Sequence, residues 1–155
     1  MMSTSLNSSP TLTEISTPQL ILQAALAALS EGRISEVVEQ FDDHFTFADH
    51  ALALEVADRE RLTEFLHKSR ELFPDTVVEV GSIFECGDYA IAEWKLSATH
   101  TVPYGSISYR SRILLPGTTI IQTKNGRIRR WSDYYDQSTS RRVSLAAFFT
   151  EWIEY

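Results

Sequence analysis

GRIRRWSDYYD, residues 126–136, reads as a closing strand entered from a tight turn. Lys124-Asn125-Gly126 supplies the turn chemistry, and the aromatic run behind it is strand-like. Its two aspartates, Asp133 and Asp136, are three apart, so a strand points them to opposite faces. Trp131 and Tyr135 share the face of Asp133; Ser132 and Tyr134 share that of Asp136. Asp133 is therefore the inward aspartate and Asp136 the surface or end-of-strand one. A carboxylate held among buried rings needs either a partner or a chemical task.

Working back from this strand, SYRSRILLPGTTIIQT (108–123) precedes it across the Asn-Gly turn. Before that, TVVEVGSIFEC (76–86) and YAIAEWKLSATH (89–100) are joined by Gly87-Asp88, a hairpin signal. Alternation sorts their faces. Ala90, Ala92, Trp94, Leu96, Ala98 and His100 form one row, apolar until its last member, and this row faces the core. Ile113, Leu115 and Ile121 lie with Gly117 and Thr119. In the short strand FTFAD (45–49), Phe45 and Phe47 share a face with Asp49. TVPYGS (101–106) reads as a loop.

Helices come first in the chain. TPQLILQAALAALSEGR begins an amphipathic helix capped by Thr17, with Pro18 in its first turn and Gly32 as its stop. ISEVVEQF (34–41) reads as a short second helix. ADRERLTEFLHKSRELFPD (57–75) carries Leu62, Phe65, Leu66, Ser69, Leu72 and Phe73 at helical spacing, with Asp58 as cap and Pro74 as terminator. Helices followed by a run of antiparallel strands is an α+β layout. Residues 18–137 are expected to form one domain. Residues 1–17 read as a mobile Ser/Thr/Asn-rich tail, and 138–155 as an extension that docks on the domain or on a dimer partner.

The chain has 155 residues and a net charge of −7, with 43% hydrophobic and 23% charged residues. That suits one globular domain with a real core. The acidic balance and the lack of a basic cluster argue against nucleic acid as a partner. No run approaches a membrane span, and the N-terminus lacks the pattern of a secretory signal, so no membrane association and a cytoplasmic location are expected. The single cysteine, Cys86, allows no internal disulfide and supplies no zinc-site spacing. No phosphate loop, dinucleotide fingerprint or metal-spaced His/Cys set is present, so no cofactor is expected.

Three polar groups sit on apolar rows: Asp49, His100 and Asp133. If those rows converge, they make a greasy cavity with a few titratable groups, the usual composition of a small-molecule site. Each has a plainer reading. Asp49 at a strand end also suits a turn or cap. Asp133 also suits a core carboxylate satisfied by a Tyr or Trp donor. His100 also suits an exposed rim. His50 points away from Asp49 in a regular strand, and only a bulge would turn it inward. Phe47, Trp94, Leu96, Leu115, Thr119, Trp131 and Tyr135 would line the cavity, its aromatics suited to a flat or polycyclic ligand.

Two N-terminal helices, FTFAD, a long amphipathic helix, and antiparallel strands closing in G-R-I-x-x-W-x-D-Y-Y-D resemble the nuclear transport factor two-like superfamily. The nearest members are the SnoaL-like cyclases and limonene epoxide hydrolases, over residues 18–137. The resemblance implies a cone-shaped curved sheet wrapped around N-terminal helices, a cystatin-like α+β barrel, usually dimeric through the sheet. The closing motif is similar to that of limonene epoxide hydrolase, where the first aspartate, here Asp133, is catalytic. The spacing from Asp49 to the long helix is similar to that in ketosteroid isomerase, where this aspartate is the general base. Departures accompany both likenesses. The Arg and Asp of the epoxide hydrolase relay fall at Trp94 and Leu96, and the second acid of ketosteroid isomerase falls near Thr118 or Thr119.

The expected activity is cofactor-free proton transfer on a hydrophobic small molecule, of isomerase or cyclase type. Asp49 is the expected base, Asp133 the acid or polar anchor, and His100 and Tyr135 secondary donors. An epoxide hydrolase with an altered relay, or a non-catalytic holder of hydrophobic ligands, are the alternatives. A homodimer is expected through the outer faces of the later strands, where Ile91, Leu114 and Ile120 leave apolar area beside Glu93 and Lys95.

Overall fold

A computed structural model of the chain describes residues 16–140. The expected tail up to residue 15 and the C-terminal segment from 141 lie outside the described residues. Helix α1 runs over Pro18–Glu31. The Thr17 hydroxyl accepts from the Leu20 N–H, and Gly32, in the left-handed region at φ 72°, returns its N–H to the carbonyls of Ala28 and Leu29. Its buried stripe is Ile21, Leu22, Ala25, Leu26 and Ala28. Helix α2, Ile34–Glu39, adds Ile34, Val37 and Val38. Helix α3, Arg59–Leu72, is capped by the Asp58 carboxylate on the Arg61 N–H at 2.9 Å, and buries Leu62, Phe65 and Leu66.

The strands are β1 (Phe41–Asp49), β2 (Leu54–Val56), β3 (Val77–Cys86), β4 (Tyr89–Tyr104), β5 (Ile107–Lys124) and β6 (Arg127–Tyr135). They form one mixed sheet in the order β2-β1-β6-β5-β4-β3. Every pairing is antiparallel except β1 with β6, which is parallel. Register shifts fall between Phe41 and Thr46, between Val80 and Ile83, and between Gln122 and Thr123. Each such irregularity sharpens local twist, which lets the sheet curl around the helices. The α+β cone with its concave face packed on helices is the architecture expected.

The core lies between the concave face and the helices. Trp131 touches Phe41 and Phe47, at ring separations of 6.0 and 6.2 Å, and Phe47 continues to Phe65 of α3 at 5.7 Å. Trp94 lies across its register partner Gly117. A Cβ there would come within 2.2 Å of the indole, so close approach requires the glycine.

Two element readings change, one short strand goes unread, and one residue leaves its expected stripe. TVPYGS is no loop: β4 and β5 stay paired out to Tyr104 and Ile107 and turn at Gly105. Pro103 is tolerated because β3 stops pairing with β4 at Ser97, leaving an edge with no ladder to break. The segment read as helix to residue 41 ends at Glu39, and Phe41 instead starts β1. Strand β2 is only three residues long and too short for alternation to show. On α3, Leu72 is exposed rather than part of the buried stripe.

Candidate active site

The cone encloses a cavity of about 200 Å³ with a strongly apolar wall. Helices α1 and α2 supply Leu26, Leu29 and Ile34. Helix α3 and its end supply Phe65, Leu66, Ser69, Arg70 and Phe73, the connections supply Leu52 and Thr76, and the sheet supplies the remainder. Of the residues expected from sequence, Asp49, Asp133, Phe47, Trp94, Leu96, Leu115, Thr119, Trp131 and Tyr135 all line this one cavity. Trp94 and Trp131 thus stand on the same face of the sheet.

The parallel pairing of β1 with β6 brings the two acids together. Asp49 and Asp133 are direct register partners, as are Phe47 and Trp131 two residues earlier. Both pairs point inward because two residues is one strand period. The acids come from segments more than eighty residues apart, so only this long-range pairing unites them.

Their surroundings differ. Asp49 closes β1 and begins a turn, with Oδ1 accepting from the Leu52 N–H at 3.0 Å. Its Oδ2 accepts from the Tyr135 hydroxyl at 2.9 Å. The residue is 6% exposed. Burial raises its pKa, while the Leu52 and Tyr135 donors oppose that rise by favouring the anion. The turn reading of Asp49 is therefore correct as far as it goes, and the same carboxylate also faces the cavity.

Asp133 has one well-formed donor. The Trp94 indole N–H donates to the Thr119 hydroxyl at 2.8 Å, and Thr119 donates onward to Asp133 Oδ1 at 2.5 Å. Thr119 is fully buried, so its single hydrogen has a fixed destination. Burial, reinforced by the Asp49 charge, pushes the Asp133 carboxyl up to about 7; Thr119 and Trp131 oppose the rise. Two neighbouring carboxyls with unequal donors divide into an anion and an acid. Asp49, with two donors, is the better stabilised anion, and Asp133 is the carboxyl pushed up to about 7. Burial, followed by the Asp49 charge, also drives the Tyr135 phenol far above its ordinary value, so it stays a donor.

The Trp131 indole N–H is buried and makes no hydrogen bond among the described residues. It lies near enough to Asp133 to favour that group's anion without a well-aligned bond. A buried donor in this position costs about 1–3 kcal/mol.

Two expected residues are not brought to the cavity. His100 lies one inward position beyond Ala98, the last cavity-lining residue of β4. Its ring tilts against Phe73 at 5.5 Å, its Nδ1 is buried with no partner among the described residues, and burial lowers its pKa. It packs against the helix end and does not line the cavity. His50 is exposed, because the β1 irregularity lies before Thr46 and the register from Thr46 to Asp49 is regular, so no bulge turns it inward. Its ring stacks on Tyr134 at 4.4 Å on the convex side, and its backbone N–H donates to the Asp133 carbonyl.

The helical half of the wall escaped the strand-based reading. Arg70 is the clearest case, a cation among cavity residues whose Nη1 donates to the carbonyls of Ser30 and Thr76 at 3.1 and 3.2 Å. Its signal was its position four residues after Leu66, on the core face of α3. Among the described residues no group of His, Cys, Asp and Glu is arranged to hold a metal ion.

Solved structures with this fold come from several bacteria. A protein of Catenulispora acidiphila with a ketosteroid isomerase-like fold, bound to trimethylamine, matches with a TM-score of 0.68 and 21% identity, over 80% of this chain and 90% of that one. A provisionally named SnoaL-like polyketide cyclase of Shewanella denitrificans matches at 0.69 and 16%, over 84% and 97%. IdmH of Streptomyces antibioticus, also provisionally named a polyketide cyclase, matches at 0.70 and 16%, over 81% and 96%. Such identities speak for the fold alone. No curated protein matches the chain. The family model of the SnoaL-like domain matches residues 22–131, which holds both tryptophans of the cavity, Asp49, Thr119 and the approach to Asp133. The chain belongs to the SnoaL-like domain family, within the nuclear transport factor two-like superfamily.

Proposed function

We propose that this protein is a cofactor-independent enzyme that moves protons on a hydrophobic small molecule, in an isomerisation or a cyclase-type ring closure. The observation that supports it most is the register pairing of Asp49 with Asp133 at an apolar cavity, with donors distributed so that one acid ionises and the other does not. Asp49 takes a proton from carbon, and Asp133 delivers one to oxygen or holds the oxygen in place. The aromatic wall binds the flat part of the substrate.

Epoxide hydrolysis is less well supported. Trp94 and Leu96 stand on the cavity wall where the resemblance would put the relay's Arg and Asp, and neither can carry a proton. The remaining alternative is a holder of hydrophobic ligands, which needs the wall but not the acids.

Deuterium exchange at the α-carbon of 2-tetralone, a hydrophobic ketone, tests the reading without the natural substrate. The wild-type protein should accelerate exchange, and Asp49→Asn should reduce the acceleration by roughly two to four orders of magnitude while leaving ketone affinity nearly unchanged. Binding without acceleration would make the cone a holder.

A further inference from the structure

We propose that Thr119, held in place by the Trp94 indole, is a positioning residue that confines the acid hydrogen of Asp133 to Oδ2. This deepens the acid–base reading above and rests on it for the chemistry, though not for the relay itself.

The order of donors carries it. Thr119 and Asp133 are register partners across β5 and β6. On the other side of Thr119 stands Ala92 of β4, too small to intervene, and Trp94 reaches over from the next inward position. An indole N–H donates and cannot accept. Trp94 gives its N–H to the Thr119 hydroxyl at 2.8 Å, so the Thr119 oxygen is the acceptor of that bond. Its single hydrogen then has Asp133 Oδ1, 2.5 Å away, as its one recipient among the described residues. Thr119 is 0% exposed, so solvent offers no alternative and a substrate gains no bond from this hydroxyl. A hydrogen on Oδ1 would displace that of Thr119 and leave it buried without an acceptor, which folded proteins avoid. A hydrogen on Oδ2 keeps both bonds.

The groups around Asp133 leave this control to Thr119. From β1 it meets Asp49, and from β6 Trp131 and Tyr135. The Tyr135 hydroxyl is spent on Asp49 at 2.9 Å, and the Trp131 N–H makes no hydrogen bond among the described residues. In the reaction, the Oδ2 hydrogen passes to the substrate while Asp49 takes another, so each acid exchanges one proton. Oδ1 keeps its Thr119 bond throughout. The new charge on Asp133 strengthens that bond and, through Thr119, the one from Trp94.

Proton–nitrogen NMR of the ligand-free protein, from about pH 5 to 9, tests the relay. The Trp94 indole signal should move downfield as Asp133 ionises, and Trp94→Phe assigns that signal. Asp133→Asn should hold it still, and Asp49→Asn should leave a titration in place. Thr119→Val should cut the link, and Thr119→Ser should restore it. In 2-tetralone exchange, Thr119→Val should lower kcat about tenfold with KM changed less than about twofold, and Thr119→Ser should recover most of the loss. The alkaline fall in rate should move to higher pH in Thr119→Val, because loss of the donor disfavours the Asp133 anion. Naphthalene, a flat ligand without polar atoms, should bind both variants as it binds wild type. A Trp94 signal indifferent to Asp133, a Thr119→Ser that behaves like Thr119→Val, a lower rate with an unmoved pH profile, or loss of naphthalene binding would each overturn the proposal. Should Thr119→Val fail to fold, the wild-type Trp94 titration and its loss in Asp133→Asn decide the matter. If Trp94 follows Asp133 but wild type gives no exchange, the relay stands and the acid–base reading falls.

Discussion

At the scale of single residues, protonation of Asp133 links the site to stability. Its carboxyl is raised in the fold to about 7 from an ordinary value near 3.8, with burial the first cause. The sign follows directly. Between those values the folded protein keeps a proton that the unfolded chain has lost, so stability falls as pH rises through the window and levels off above about 7. Asp49 is also raised and acts in the same direction. Urea unfolding from pH 4 to 8 should show this decline, and Asp133→Asn should flatten it by a few kcal/mol. A profile unchanged by the substitution would show that Asp133 ionises freely. Both acids were legible in sequence because strand alternation put them in apolar rows. Their different states were not, because those depend on a Leu52 N–H, a Tyr135 hydroxyl and a Thr119 hydroxyl fixed by tertiary packing. His100 shows the limit of the same reasoning: alternation gave its face correctly but not where along the strand the cavity ends.

Among the elements, the curved sheet depends on one close approach, Trp94 over Gly117. Gly117→Ala should destabilise the protein by about 1–3 kcal/mol, since a methyl group there meets the indole ring. The penalty should fall sharply in a Trp94→Leu background, because the two residues share one contact. Thermal unfolding of the two single variants and the double variant checks this, and simple additivity would refute the contact. The hairpins at Gly87 and Asn125-Gly126 were legible because positive φ demands these residue types: the structure places φ at 57°, 52° and 75°. Strand β2 and the parallel pairing of β1 with β6 were not. A three-residue strand has no measurable period, and nothing local records which distant strand becomes its neighbour. Pro116 in β5 illustrates the same dependence on context. It stands just beyond Gly117, the last β5 residue paired with β6, so its missing N–H breaks no bond on that side.

At the scale of the whole molecule, the convex face carries exposed apolar side chains among the described residues. The register carries Phe84, Ile91 and Ile120 side by side across β3, β4 and β5, opposite in facing to the cavity row. Phe84 is 63% exposed and Ile91 39%; Tyr89, Leu114 and Tyr134 are exposed on the same sheet. A contiguous apolar strip on a face otherwise carrying Glu79, Glu93 and Lys95 is what a self-complementary interface requires, with charge at the rim and apolar area within. No helix of the described residues is long and apolar enough to cross a membrane, so such a span does not account for the strip. A second copy of the chain is the proposed cover. Light scattering at micromolar concentration should then return about twice 17.6 kDa. Ile91→Arg, which puts a charge in the middle of the strip, should shift the population to monomer while circular dichroism stays native. The cavity lies on the other face, so the monomeric variant should still bind naphthalene. A wild-type mass of one chain would reject the dimer, and loss of ligand binding in a folded monomer would mean that the partner helps shape the cavity.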